Sequence, residues 1–189
     1  MSKIITTTIT LGFPSLVTPR VPTNKQGQPT GEAKYGCALV WEPDADLTAI
    51  KNAIGQAMVE KLGPEKAADM VLKIKSGRVK TPLHQDEDKR FGAGQHWYLN
   101  ARNKLKPQVV DGSLKNLTDA EIAEKCYSGS KVRASLTFFW YDNESMGVGV
   151  GLNNLQWVGD GTRMDGRTDA AKEFDAIEMP IKDLASLMG

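Results

Sequence analysis

The chain has 189 residues, 40% hydrophobic and 7% aromatic, and its 24 Lys and Arg against 23 Asp and Glu leave a formal charge of +1. That length suits one domain with a single core, and the near-balance of charge excludes a histone-like polycation. No apolar run approaches the ~20 residues of a membrane span, and Met1-Ser2-Lys3-Ile4-Ile5-Thr6-Thr7-Thr8 has no apolar core of a signal peptide, so a cytoplasmic protein is expected.

Residues 4–11, rich in Ile and Thr, read as a first strand ended by Gly12-Phe13-Pro14, and a Pro/Gly/Asn-rich loop follows from Pro19 to Gly31. Tyr35 to Trp41 is a second strand. Glu42-Pro43-Asp44 closes it and offers Asp44 or Asp46 as the N-cap of a helix. Leu47, Ile50, Ile54, Met58 and Leu62 then recur at three- and four-residue intervals, the stripe of an amphipathic helix. Gly63-Pro64 breaks it, and Pro64 can begin a second helix with Ala67, Met70, Val71 and Ile74 inward. Residues 76–95 are charged and turn-like, a long loop or hairpin. Strand character returns over Gln95–Lys104, followed by a loop through Pro107 and Asp111-Gly112. Thr118-Asp119-Ala120-Glu121 is a capping box for a short helix to Lys125. Ser130–Tyr141 and Met146–Val158 are two further strands joined by the polar turn Asp142-Asn143-Glu144-Ser145. Five or more strands with helical insertions fit a mainly β chain, a small Greek-key barrel of OB type, better than a sandwich or a parallel α/β sheet. Residues 1–160 form this domain and 161–189 a mildly acidic, partly flexible tail.

Alternation assigns the faces. In the strand 131–141, Val132, Ala134, Leu136, Phe138 and Trp140 point one way, and Lys131, Arg133, Ser135, Thr137, Phe139 and Tyr141 the other. In 96–105, Trp97, Leu99, Ala101 and Leu105 oppose His96, Tyr98, Asn100, Arg102 and Lys104. Each strand therefore presents an apolar row and a row mixing cations with aromatics. A solvated face explains the Lys, Arg, Ser and Thr but gives no reason to place Tyr98, Phe139 and Tyr141 in water, unless a helix or loop covers them. Rings interleaved with cations suit single-stranded nucleic acid, where they stack on unpaired bases while Lys and Arg follow the phosphates. Trp157, near the end of its strand, is a further stacking candidate and equally a core candidate.

Charge is concentrated in the same region. Between Lys73 and Lys106 the net charge is +6, and over residues 160–189 it is −3. Lys89, Arg90, Arg102, Lys104, Lys106, Lys131 and Arg133 are the candidate phosphate contacts, flanking a groove. If four to six phosphates are paired, log K falls with log salt at a slope of about −3 to −4.

Other motifs carry no chemistry. Cys37 and Cys126 are too far apart in sequence for a zinc clip and read as buried or half-buried thiols. Gly147-Val148-Gly149-Val150-Gly151 has no helix after it, as a dinucleotide loop would require. Asp86-Glu87-Asp88 reads as a surface turn, and the run from Asp160 to Gly166 lacks the oxygen spacing of a calcium loop. With two histidines and no catalytic set, neither an enzyme nor a cofactor is expected.

Tyr98-Leu99-Asn100-Ala101-Arg102-Asn103-Lys104-Leu105-Lys106-Pro107, with Val109-Val110-Asp111 after it, resembles a block of a tailed-phage family of OB-fold single-stranded DNA-binding proteins. Tyr127-Ser128-Gly129, Arg133-Ala134 and Gly151-Leu152-Asn153-Asn154-Leu155-Gln156 extend the resemblance, which covers roughly residues 33–160 in order. It implies a phage replication and recombination protein in the cytoplasm of an infected bacterium, coating single-stranded DNA without sequence preference. It also implies that an acidic C-terminal tail recruits replication proteins and competes for the groove. Here the tail ends Ile181-Lys182-Asp183-Leu184-Ala185-Ser186-Leu187-Met188-Gly189 without a dense carboxylate run. RNA is a second candidate ligand, and a protein-interaction or virion-assembly module on the same barrel is the alternative reading.

Overall fold

Thr6 interrupts the N-terminal strand. Its N–H donates to the Ala134 carbonyl at 2.9 Å and its hydroxyl accepts from the Ala134 N–H at 3.0 Å. The strand is thereby divided into β1 (Ser2–Ile5) and β2 (Ile9–Arg20). In this computed structural model, residues 1–24, 26–167 and 173–176 are described. β2 does not stop at Gly12-Phe13-Pro14 as the sequence suggests. A register shift between Gly12 and Ser15 places Phe13 at a bulge with φ of 42°, and the bulge absorbs a proline that an unbroken ladder would reject.

The remaining elements are β3 (Lys34–Trp41), α1 (Thr48–Leu62), α2 (Pro64–Lys75), β4 (Leu83–Gln85), β5 (Trp97–Asn103), β6 (Gln108–Val110), α3 (Asp119–Lys125), β7 (Lys131–Asp142) and β8 (Met146–Gly159). β4 and β6 are three-residue strands within segments whose turn residues suggest loops. Each survives by pairing with a longer neighbour, β4 with β5 and β6 with β8. Five strands close a ring: β2 pairs β3, β3 pairs β5, β5 meets β8 in parallel at Arg102 and Gly151, β8 pairs β7, and β7 returns to β2. This is the expected OB-type barrel, with the α1–α2 hairpin inserted between its second and third strands and α3 between its third and fourth.

The alternating residues fill the barrel. Leu11, Leu39, Leu99, Leu136, Phe138 and Leu152 are fully buried, and α1 adds Ile50, Ala53, Ile54, Ala57 and Met58. Asp46 accepts from the Thr48 N–H at 2.9 Å, but the N-cap position itself is Leu47. The Thr118 capping box of α3 forms as the sequence requires. Two apolar residues expected inward lie outside. Val71 is exposed because the inner stripe of α2 runs through Ala67, Met70 and Ile74, and the next residue turns about 100° away. Leu105 is exposed because β5 ends at Asn103, so alternation lapses before it. Cys37 and Cys126 are free and buried. Burial pushes both thiols up, Cys37 to about 12 with the neighbouring Cys126 adding to the effect, and Cys126 to about 11.

The chain after β8 turns back onto the barrel. The Tyr127 hydroxyl accepts from the Gly161 N–H at 3.1 Å, the Arg163 guanidinium lies 4.2 Å from the Tyr127 ring centre, and the Met164 N–H donates to the Ser128 carbonyl at 2.9 Å. Gly129, at φ of 115°, allows this approach; a side chain there would meet the Thr162 carbonyl oxygen at 1.9 Å. Met164 packs on the outer side of the sheet against the cluster of Ala38, Val40 and Phe91. Most of the predicted tail, residues 168–172 and 177–189, lies outside the described residues.

Candidate nucleic-acid interface

The outward rows of β3 and β5 lie side by side, with Val40 opposite Tyr98, Ala38 opposite Asn100 and Gly36 opposite Arg102. Over one end of this surface folds the segment 86–94. Asp86, read from sequence as part of a surface turn, is instead buried at 1% exposure, whereas Glu87 and Asp88 are exposed. Its carboxylate accepts from the Phe91 N–H at 2.9 Å and from Arg90 Nε at 3.5 Å. These partners give the charge what a buried carboxylate requires. Phe91 is thereby laid on Ala38 and Val40, and the Arg90 guanidinium sits 4.6 Å from the Tyr98 ring centre.

Tyr98 is consequently half-buried against its neighbours rather than free: Phe91 lies 5.3 Å and His84 5.4 Å from it, ring centre to ring centre. Its ring supports Arg90. Partial burial, and then the charge of Arg90, hold His84 below the ordinary imidazole value.

Beside this cluster is a concavity of about 370 Å³ whose lining includes Phe13, Arg20, Lys34, Arg90, Asn100 and Arg102. Phe13 is 50% exposed, its ring 5.5 Å from Phe91, and its N–H is held by the Ser128 hydroxyl at 2.7 Å. A bulky residue at positive φ with its ring in solvent is the kind of strain found at binding sites. Lys34 and Arg102 also line the adjoining depression, together with Lys104, Thr137, Phe139 and Asn153. The two hollows form one path over β3, β5 and the β7–β8 hairpin. Asn153 stands at a register shift in that hairpin and exchanges hydrogen bonds with the Thr137 hydroxyl at 2.9 and 3.2 Å.

The predicted residues separate into groups. Arg90, Arg102, Lys104 and Phe139 lie on the path. Phe139 is 38% exposed and lies over Gly149. Lys89 is exposed in the loop next to Arg90. Tyr141 is half-buried at the hairpin's end, opposite Gly147, where the Lys80 carbonyl accepts from the Val148 N–H. Several cations are already occupied. Lys104 pairs with Glu32, whose carboxyl it holds below the usual range, and Lys106 contacts both Asp119 oxygens at 2.7 and 2.8 Å. Lys131 donates to the Thr10 hydroxyl at 2.7 Å, and Arg133 to the Thr6 carbonyl and Gln156, both at 3.3 Å. Trp157 faces inward opposite Val132 and packs on the core, with the Lys125 ammonium 4.8 Å from its ring centre.

Sequence reasoning missed Phe13, Arg20 and Lys34. Arg20 and Lys34 pair across the ends of β2 and β3, so they mark the base of the loop between those strands. The signal is the pair of cations bracketing that Pro/Gly/Asn-rich loop, hidden because Pro14 reads as the end of the strand.

The chain matches over residues 2–184 the model of a family described as Enterobacter phage Enc34, ssDNA-binding protein. It is similar to protein p50 of Acyrthosiphon pisum secondary endosymbiont phage 1, with 32% identity over 181 residues, covering 94% of this chain and 95% of that protein. Among solved structures it is similar to the single-stranded DNA-binding protein from bacteriophage Enc34, at 22% identity, 92% and 90% coverage and a TM-score of 0.61. That protein has also been solved in complex with ssDNA. It is likewise similar to gp2.5, the single-stranded DNA binding protein encoded by bacteriophage T7, at 16% identity, 92% and 94% coverage and a TM-score of 0.57. The two structural likenesses carry the barrel, and the family match spans nearly its whole sequence: the chain belongs to the Enc34 phage ssDNA-binding protein family.

Proposed function

We infer that the chain binds single-stranded DNA without base specificity along the outer faces of β3, β5 and the β7–β8 hairpin, in phage DNA replication and recombination in the cytoplasm of an infected bacterium. One observation carries the placement: both hollows of the path are lined by cations and aromatic rings, and no carboxylate is among their lining residues. Membership of a family described by ssDNA binding supports the ligand class. On an OB barrel, this face and the loop between its first two strands are where oligonucleotides bind.

Phe13 and Phe139 are the exposed rings of the path and the bases stack on them, at about 1–3 kcal/mol per base, with little regard to base identity because every base has a π-face. Arg20, Lys34, Arg90 and Arg102 neutralise phosphates. Tyr98 contributes by carrying Arg90, and Tyr141 extends the path beyond Phe139. The mechanism is binding alone, and the chain's role is to hold exposed strands extended and unpaired. Contacts of residues 161–189 with phage replication proteins and binding of RNA are further parts of the same reading.

Four phosphate contacts at about −0.7 each give a salt slope near −3, so affinity for oligo-dT should fall about 50-fold between about 50 and 200 mM salt. Fluorescence anisotropy with oligo-dT, the matching duplex and oligo-rU tests this, with single strands expected to bind tighter than duplex. Equal or tighter duplex binding, or affinity indifferent to salt, would overturn the reading. A protein-interaction or virion-assembly module would leave the anisotropy of all three unchanged.

A further inference from the structure

Asp86 is the only Asp, Glu, Lys or Arg that is buried among the described residues, and it stands beside a groove for an anionic ligand. A carboxylate there works against phosphate binding unless it acts through something else. Its two contacts say what that is. One oxygen takes the Phe91 N–H and the other takes Arg90 Nε, so a single enclosed group fixes two successive residues of the loop.

Arg90 is then held through its Nε and against two rings. Its Nε faces Asp86 at 3.5 Å, its Cζ lies over the Tyr98 ring at 4.6 Å and over the Phe91 ring at 5.5 Å from their centres, and its terminal amino groups have no partner among the described residues. Arg90 lines the cleft. A guanidinium bound by its Nε edge and one face keeps its terminal donors available for a phosphate, and it loses less freedom when the phosphate arrives.

We propose that Asp86 is a positioning residue for single-stranded DNA binding, which holds Arg90 by its Nε edge on the Tyr98 ring so that its terminal amino groups face the nucleic-acid backbone. The proposal rests on the groove reading above and makes a prediction of opposite sign to simple charge counting. Removing a negative charge from a basic groove should tighten DNA binding; removing this one should weaken it, because Arg90 loses its anchor.

The test is a double-mutant cycle in the full chain, read by oligo-dT titration at several salt concentrations, with melting temperature recorded for each variant. Asp86→Asn keeps an acceptor for the Phe91 N–H and discards the charge. It is expected to weaken binding about fivefold near 0.1 M salt, the value of one phosphate contact, and to flatten the salt slope. In an Arg90→Ala background the same change should weaken binding no further. Asp86→Asn binding as tightly as the unsubstituted chain, or tighter, while Arg90→Ala weakens it, overturns the positioning role and leaves the groove standing. No effect of Arg90→Ala overturns the groove reading at this end and the proposal with it. If Asp86→Asn does not fold, Arg90→Lys decides: it keeps the charge but cannot offer Nε and a flat face together. A loss matching Arg90→Ala supports the proposal, and retained affinity overturns it.

Discussion

Phe139 lies across the bare backbone of its cross-strand partner Gly149, so closely that a methyl group on Gly149 would stand 2.6 Å from Phe139 Cζ. An exposed ring on a sheet ordinarily stands among its neighbours' side chains. Here it has a glycine seat and offers one broad face to the path that Arg102, Thr137 and Asn153 also line.

Gly149→Ala should therefore lift the ring and weaken oligo-dT binding in the same direction as Phe139→Ala, for which a loss of about 1–3 kcal/mol is expected. Because the ring is partly in solvent and can move aside, melting should show a stability change of about 1 kcal/mol or less. Unaltered binding by Gly149→Ala alongside weakened binding by Phe139→Ala would mean that the seat is irrelevant.

The cations other than Arg90 should divide by whether a carboxylate already takes their donors. Lys34→Ala and Arg102→Ala are each expected to flatten the salt slope of binding by about 0.7. Lys106→Ala should leave it unchanged, since Asp119 already takes that ammonium through both oxygens. Equal flattening by all three, measured as log K against log salt, would point to the general field of the protein rather than contacts on the path.

Acid should weaken the fold through His84. Its pKa is lowered in the folded chain, first by partial burial and then by Arg90, so the unfolded chain binds the proton more readily. That contribution to stability is whole above the ordinary histidine value of about 6.5 and is lost as pH falls from there through the lowered value. Melting temperatures between about pH 7.5 and 5.5 should decline more for the unsubstituted chain than for His84→Gln. A phosphate at Arg90 favours the protonated ring, so oligo-dT affinity should gain more on acidification in the unsubstituted chain than in that variant.

The thiols should be silent in the native state. With Cys37 raised to about 12 and Cys126 to about 11, both buried, a thiol-specific chromogenic reagent near pH 8 should label neither until denaturant is added, and then both. Rapid labelling of the folded chain would contradict the packing of the barrel wall.

Strong periodicity made most of the barrel legible. The rows through Leu136 and Phe138 and through Leu99 and Ala101 fell where two-residue alternation puts them, and the Thr118 capping box formed as written. What stayed hidden depended on non-local partners. Nothing local distinguishes Leu83–Gln85 or Gln108–Val110 from a loop until β5 and β8 lie alongside. Phe13 was hidden by the proline after it, which reads as a strand end unless a bulge is foreseen. Exposure of an aromatic cannot be told from alternation alone. Tyr98 and Phe139 occupy equivalent outward positions, yet the loop held by Asp86 half-buries the first and does not reach the second, which is 38% exposed. Lys104 and Lys106 counted as free cations in the sequence because Glu32 and Asp119 come from distant segments.

The latch of Gly161 on Tyr127 and the seating of Met164 beside Phe91 decide where the chain can be cut. A deletion made straight after Gly159, where β8 ends, removes both, uncovers part of the patch formed by Ala38, Val40 and Phe91, and loosens the surface on which Arg90 and Tyr98 rest. A change in DNA affinity after such a cut would report damage to the platform together with loss of the acidic segment. Shortening the chain beyond Arg167 separates the two effects, because every residue of the latch stays in place.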